Sequence, residues 1–178
     1  MNQKWFALFF IQKMKGVGKI ATTGIWKIEK RLDNVIDYTT NIEKTINSDY
    51  CKDSYYDLHN VIDYVEADYK TEKQFYVSGV NCNPKTALEE MTITKEQYGK
   101  TGGILGFHAF QSFAEGEVTP EQCHAIGVRL AEEMWGDRFE VVVSTHLNTN
   151  HYHNHFVINS VSFKDGKRYY DKRETYAE

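Results

Sequence analysis

The sequence predicts an α+β fold: a two-layer sandwich with a central, mainly antiparallel β-sheet that carries a histidine cluster, and helices packed on that sheet. Three observations point to it. Two β-branched runs, 139–145 and 156–163, flank a polar turn at 148–150 and read as paired strands. Other short alternating runs, near 20–28, 74–80 and 104–113, are separated by stretches of helical spacing. Four of the seven histidines lie within 146–155, where the first pair of runs turns.

At 178 residues one domain is expected, spanning 20–178. Its C-terminal end reads as truncated, because 169–176 offers no closing element. Residues 1–19 read as a leader ahead of the domain. The apolar run 5–11, flanked by Lys4, Lys13 and Lys15, is too short to span a bilayer and lacks a small-residue cleavage site. No membrane insertion and a cytoplasmic location follow as expectations. Cys51, Cys82 and Cys123 are odd in number, without a CxxC pair, and read as reduced thiols.

Residues 20–28 form the first expected strand. It leads into a helix over 31–38, where Leu32, Val35 and Ile36 share a face. A near-repeat follows: NVIDYTTNIEKT at 34–45 and NVIDYVEADYKT at 60–71. It places Tyr38 and Tyr64 at the ends of two short amphipathic helices. Packing of two similar helices on one sheet face accounts for the repeat, and so does a tyrosine with a chemical role. A strand at 74–80 is followed by a helix at 84–98, with Asn83 as N-cap and Pro84 in first position. Gly99 and Gly102-Gly103 end it. The strand at 104–113 places His108, Phe110 and Ser112 on one face and Phe107, Ala109 and Gln111 on the other. Thr119-Pro-Glu-Gln122 is a capping box that opens a helix with Ile126, Leu130 and Met134 along one stripe, ending at Gly136.

The strand over 139–146 then brings His146 to the turn. Alternate strand residues share a face, so His153 and His155 project together, opposite Asn154 and Phe156. Pairing of the two strands sets His146 beside them. A single histidine on a strand is ordinarily a core or surface residue. Three at period two across a hairpin repel one another when protonated, and that repulsion needs compensation. Converging imidazoles on rigid strands make a metal site with open coordination positions. His151 has the wrong parity and reads as a spare ligand, a DNA contact or a residue without a role.

The pattern His146, His153, His155 and Asn159 resembles the signature of the relaxase/mobilization nuclease family within the HUH endonuclease superfamily. The likeness is closest to relaxases of integrative and conjugative elements of Gram-positive bacteria. It extends through IWKIEKRLDNVIDYTTNIEKT, TEKQFYVSGVNC and FHAFQSFAEGEVTPEQ. One departure is Asn148, where the family commonly has an acidic residue, which leaves the orientation of a ligand imidazole less well fixed.

The resemblance implies a nickase that cleaves single-stranded DNA at an origin of transfer, with relaxosome accessory proteins and a coupling protein as partners. A tyrosine attacks the scissile phosphate, and a divalent cation, Mn²⁺ or Mg²⁺, assists from His146, His153 and His155. Tyr38 is the expected nucleophile rather than Tyr64. It follows the first strand closely and precedes neutral Thr39, Thr40 and Asn41, whereas Tyr64 precedes Glu66 and Asp68. Ser112 resembles a serine that contacts DNA near the scissile bond. The formal net charge of −4 does not mark a nucleic-acid binder. Stacking on some of the twelve tyrosines and ten phenylalanines is the expected grip, with Lys167 and Arg168 as basic contacts beside Lys164, Lys172 and Arg173. A solvated hairpin explains that cluster equally well. The alternatives are a rolling-circle replication initiator, a zinc hydrolase, or a truncated, inactive DNA- or metal-binding remnant.

Overall fold

A computed structural model describes residues 21–45 and 76–170. The expected leader, the helix bearing Tyr64, Cys51, Lys172 and Arg173 lie outside the described residues. Five strands form one antiparallel sheet: β1 (Thr22–Ile28), β2 (Val77–Val80), β3 (Gly106–Ser112), β4 (Val141–His146) and β5 (His153–Asn159). Their order is β1-β3-β5-β4-β2, so the strand that begins at His153 is central. The described helices are α1 (Leu32–Thr39), α2 (Ile42–Thr45), α3 (Ala87–Gln97) and α4 (Pro120–Met134).

Period-two alternation decides which helix covers which face. Phe107 and Ala109 of β3, Val141 and Val143 of β4, and Phe156 and Ile158 of β5 meet Leu130 and Ala131 of α4. The alternate residues Val142 and Val157 meet Leu32 and Ile36 of α1 and Ala87 and Met91 of α3. The α+β class and the central antiparallel sheet are as the sequence predicts. Helices on both faces add a third layer to the two expected, which explains why β4 and β5 are buried along nearly their whole length, polar residues included.

The Thr119 capping box forms as expected: Gln122 N donates to Thr119 Oγ1 at 3.2 Å, and Thr119 N donates to Gln122 Oε1 at 3.0 Å. Two of the boundaries that differ from expectation have a cause visible in the hydrogen bonding. Helix α3 starts at Ala87, because Asn83 closes a turn instead of capping the helix. Its Oδ1 accepts from Lys85 N at 3.0 Å, and its carbonyl accepts from Thr86 N at 3.1 Å. Strand β5 ends at Asn159, and the run 160–163 turns back on itself. Ser162 N donates to Lys167 O at 2.9 Å, and Val161 keeps only an isolated bridge to Arg168.

Two buried polar networks fix the register of the central strands. Behind the histidine end, Ser78, His124, Thr145, Asn154 and Gln111 form a chain from β2 through α4 and β4 to β5 and β3. The His124 ring nitrogens lie 2.8 Å from Ser78 Oγ and 2.8 Å from Thr145 Oγ1. Thr145 Oγ1 donates to Asn154 Oδ1 at 2.6 Å, and Asn154 Nδ2 donates to Gln111 Oε1 at 3.0 Å and Cys123 O at 2.8 Å. At the other end, Lys95 Nζ donates to Asn159 Oδ1 at 2.5 Å and Asn159 Nδ2 to Glu140 Oε2 at 2.9 Å. A one-residue slip of β5 would break both sets at once.

Candidate metal centre

β4 and β5 pair with His146 directly opposite His153. Directly opposed residues share a face, so the hairpin places His146, His153 and His155 together. One ligand nitrogen from each lies within 4.8 Å of the others. His146 and His155 are buried, and His153 is half-buried. Burial holds His146 well below the ordinary imidazole range, at about 4, and pushes His155 lower still. The charges of the other histidines and of Lys44 add to the effect on His155. Both rings are therefore neutral near pH 7, the state in which imidazole binds a metal.

Each ring has one nitrogen engaged and one available. His146 Nε2 donates to Thr39 O at 2.9 Å, which leaves Nδ1. His153 Nδ1 donates to His151 O at 2.9 Å, which leaves Nε2. His155 Nδ1 lies 2.9 Å from His108 Nε2, and His155 Nε2 is buried with no hydrogen-bond partner. An orphaned buried acceptor of this kind, between two other imidazoles, fits a cation. A cation on His155 Nε2 requires the proton on Nδ1, so His155 then donates to His108.

Tyr38 joins this cluster from α1. The helix buries Leu32, Ile36 and Thr39 and turns Tyr38 outward, 53% exposed. Its ring centroid is 5.7 Å from that of His146 and 6.0 Å from that of His155, edge-on in both cases. Lys44 Nζ sits 3.5 Å from the centre of the Tyr38 ring. The Lys44 carbonyl accepts from Leu147 N at 2.7 Å, which ties α2 to the histidine hairpin.

Ser112 lies on β3 opposite His153 and therefore on the histidine face. Lys167 and Arg168 are not brought to the histidines. They follow Asn159, at the opposite end of β5 from His153, roughly 20 Å away at ~3.3 Å per residue. The Arg168 guanidinium donates to the carbonyls of Ile104 at 3.0 Å, Gly102 at 2.7 Å and Lys100 at 3.3 Å, so it staples the loop before β3. Lys167 is exposed and pairs with Asp165 at 3.4 Å. His151 contributes its backbone carbonyl, and its side chain is exposed.

Sequence reasoning put His108 on the same face as Ser112 without drawing it into the site. It likewise gave no role to Lys44 or to the Thr39 carbonyl. Asn148, exposed in the turn, left open what orients the ligand rings. The Thr39 carbonyl, His108 and the His151 carbonyl do so.

Residues 64–178 match the family model "Relaxase: MobA/VirD2-like, nuclease domain". Tyr38 precedes the matched segment. Protein rlx of Staphylococcus aureus is 44% identical over 97 residues, which is 54% of this chain and 30% of that protein. The group II intron-interrupted relaxase LtrB of Lactococcus lactis subsp. cremoris is 32% identical over 145 residues, 79% of this chain and 25% of that protein. The chain thus spans 30% and 25% of the length of these two relatives. No solved structure gives a significant match. Among the described residues, no helix is long and apolar enough to cross a membrane. With the family model covering more than half of its length, the chain belongs to the MobA/VirD2-like relaxases, in their nuclease domain.

Proposed function

We propose that this chain nicks single-stranded DNA at an origin of transfer, with Tyr38 as nucleophile and His146, His153 and His155 holding Mn²⁺ or Mg²⁺. The observation that carries this reading is the placement of an exposed tyrosine within 6.0 Å, ring to ring, of two of three converging imidazoles. A bound cation would withdraw charge from the non-bridging phosphate oxygens. The three imidazoles are neutral ligands, so they do not offset its charge.

The remaining work falls to the chain itself. The Tyr38 oxygen attacks phosphorus, the bond to the 3′-oxygen breaks, and a 5′-phosphotyrosyl link and a free 3′-hydroxyl result. The ordinary phenol pKa of about 10 makes tyrosine a poor nucleophile at neutral pH. The Lys44 ammonium, 3.5 Å from the centre of its ring, sets a positive charge beside the attacking residue. The phosphotyrosyl link keeps the phosphodiester energy, so the step can reverse and reseal the strand. Ser112 serves as a hydroxyl contact to the strand beside His153. Lys167 is the basic contact farther along it, while Arg168 is committed to its carbonyls. The domain is taken as 20–178. Relaxosome accessory proteins, a coupling protein and a cytoplasmic setting belong to the same proposal.

The test is incubation with labelled single strands carrying an origin of transfer or a rolling-circle origin, with Mn²⁺, Mg²⁺ or a chelator. A denaturant-resistant adduct on the transfer-origin strand, lost with chelator, supports the proposal. An adduct on the rolling-circle origin alone favours a replication initiator. Hydrolysed product without adduct indicates a zinc hydrolase, and binding without cleavage indicates an inactive remnant.

A further inference from the structure

We propose that Trp26 is a stacking platform for an unpaired nucleobase of the strand held at the histidine centre. The proposal deepens the nickase reading and rests on it for the identity of the strand. Trp26 lies on β1, an edge strand, directly opposite His108, so its side chain stands on the histidine face. It is 46% exposed. Its ring stacks on Phe110 with 5.3 Å between centroids and 13° between planes. Phe110 is the β3 residue opposite His155, and the Trp26 ring is also 5.8 Å from that of His108. A continuous row of rings therefore runs from the sheet edge to the histidine cluster.

Gly24 makes the row possible. A Cβ there would meet Phe110 Cε1 at 2.6 Å, so only glycine lets the Phe110 ring lie over β1 beneath the indole. Two strand spacings, about 10 Å, separate Trp26 from His155. That places the platform within a few nucleotides of a phosphate at the histidines. A net-acidic chain gains little from general electrostatic attraction to DNA, and aromatic stacking is the sequence-tolerant alternative. Phe110 already covers one face of the indole, and the exposed remainder is what a base would cover.

The experiment uses the full chain with chelator present, so that no strand is cut, and oligo(dT) as the probe. Trp26→Ala should weaken oligo(dT) binding about tenfold or more, and Trp26→Phe should restore most of it. Oligo(dT) should quench the intrinsic tryptophan fluorescence of the wild type and leave that of Trp26→Phe unquenched. Unchanged affinity in Trp26→Ala overturns the proposal, and so does quenching that persists in Trp26→Phe. Unchanged affinity together with a changed oligomeric state would make this face a protein interface instead. Should Trp26→Ala fail to fold, Trp26→Phe and the quenching decide alone. Strand cleavage does not enter these readouts. A chain that stacks DNA but forms no adduct sinks the nickase, and an adduct-forming chain indifferent to Trp26 sinks the platform.

Discussion

The ring of Tyr38 stands edge-on to that of His146, 5.7 Å between centroids, while the neighbouring Thr39 carbonyl accepts from His146 Nε2 at 2.9 Å. One helix end therefore presents the tyrosine and orients a histidine of the converging trio. The last carbonyls of a helix lack partners within it, and His146 satisfies one of them. Displacement of α1 would disturb Tyr38 and His146 together.

His146→Ala, His153→Ala and His155→Ala should each abolish metal-dependent cleavage while the fold persists, since strand pairing is untouched. His151→Ala should retain activity, because the backbone carbonyl that holds His153 survives the substitution. His108→Gln should weaken Mn²⁺ binding by about 10- to 100-fold, the range for removing a partner of a ligand histidine. Metal titration and cleavage gels on the five variants check this. A dead His151→Ala beside an active His153→Ala would reverse the assignment.

The convergence of His146, His153 and His155 was legible because strand periodicity is local: His153 and His155 share parity, and the turn is short enough to place His146 beside them. The role of His108 was not legible. Its own face was assigned correctly, but its contact with His155 depends on β3 pairing with β5 across 47 residues. The capping box at Thr119 was readable because it closes within four residues. Asn83 was misread because an N-cap and a turn-closing asparagine carry the same local pattern, and Thr86 intervenes before the helix. Arg168 lies in a basic cluster, and only the folded loop reveals that its guanidinium is spent on carbonyls.

Gly127→Ala should destabilise the chain by about 1–3 kcal/mol. In an open helix the same change would stabilise by up to ~1 kcal/mol. Here the new Cβ would meet Asn154 Nδ2 at 2.5 Å and Cγ at 2.6 Å, within the network behind the histidines. Urea denaturation of the two proteins decides the sign.

Stability of the metal-free chain should fall as the solution is acidified. Burial lowers His124 from 6.5 to about 4, so between these values the unfolded chain takes a proton that the folded chain resists. The stability is fully present above 6.5 and is lost as pH falls through about 4. The slope approaches ~1.4 kcal/mol per pH unit for each such group. His124→Gln should flatten the dependence by up to one group's share, measured from urea midpoints at about pH 7, 6 and 5. An unchanged slope would contradict a neutral His124.

Lys167 and Arg168 should behave differently although they are neighbours. Arg168→Ala leaves three carbonyls without their donor and should lower stability by ~1–3 kcal/mol. Lys167→Ala should leave thermal stability unchanged and reduce the salt slope of single-strand binding by about 0.7, one phosphate contact. Thermal melts and salt titrations of both variants separate a staple from a DNA contact. Equal effects on slope would mean that Arg168 also reaches the strand.

Peptide mapping of the covalent adduct tests the central claim most directly. The chain is incubated with a transfer-origin strand and Mn²⁺, digested, and the modified peptide is sequenced by mass spectrometry. The geometry around His146 predicts a phosphotyrosyl group on Tyr38, and it predicts that Tyr38→Phe removes the adduct while leaving metal and DNA binding intact. A modified peptide containing Tyr64 would contradict the assignment of the nucleophile. A modified peptide containing neither tyrosine would contradict the mechanism.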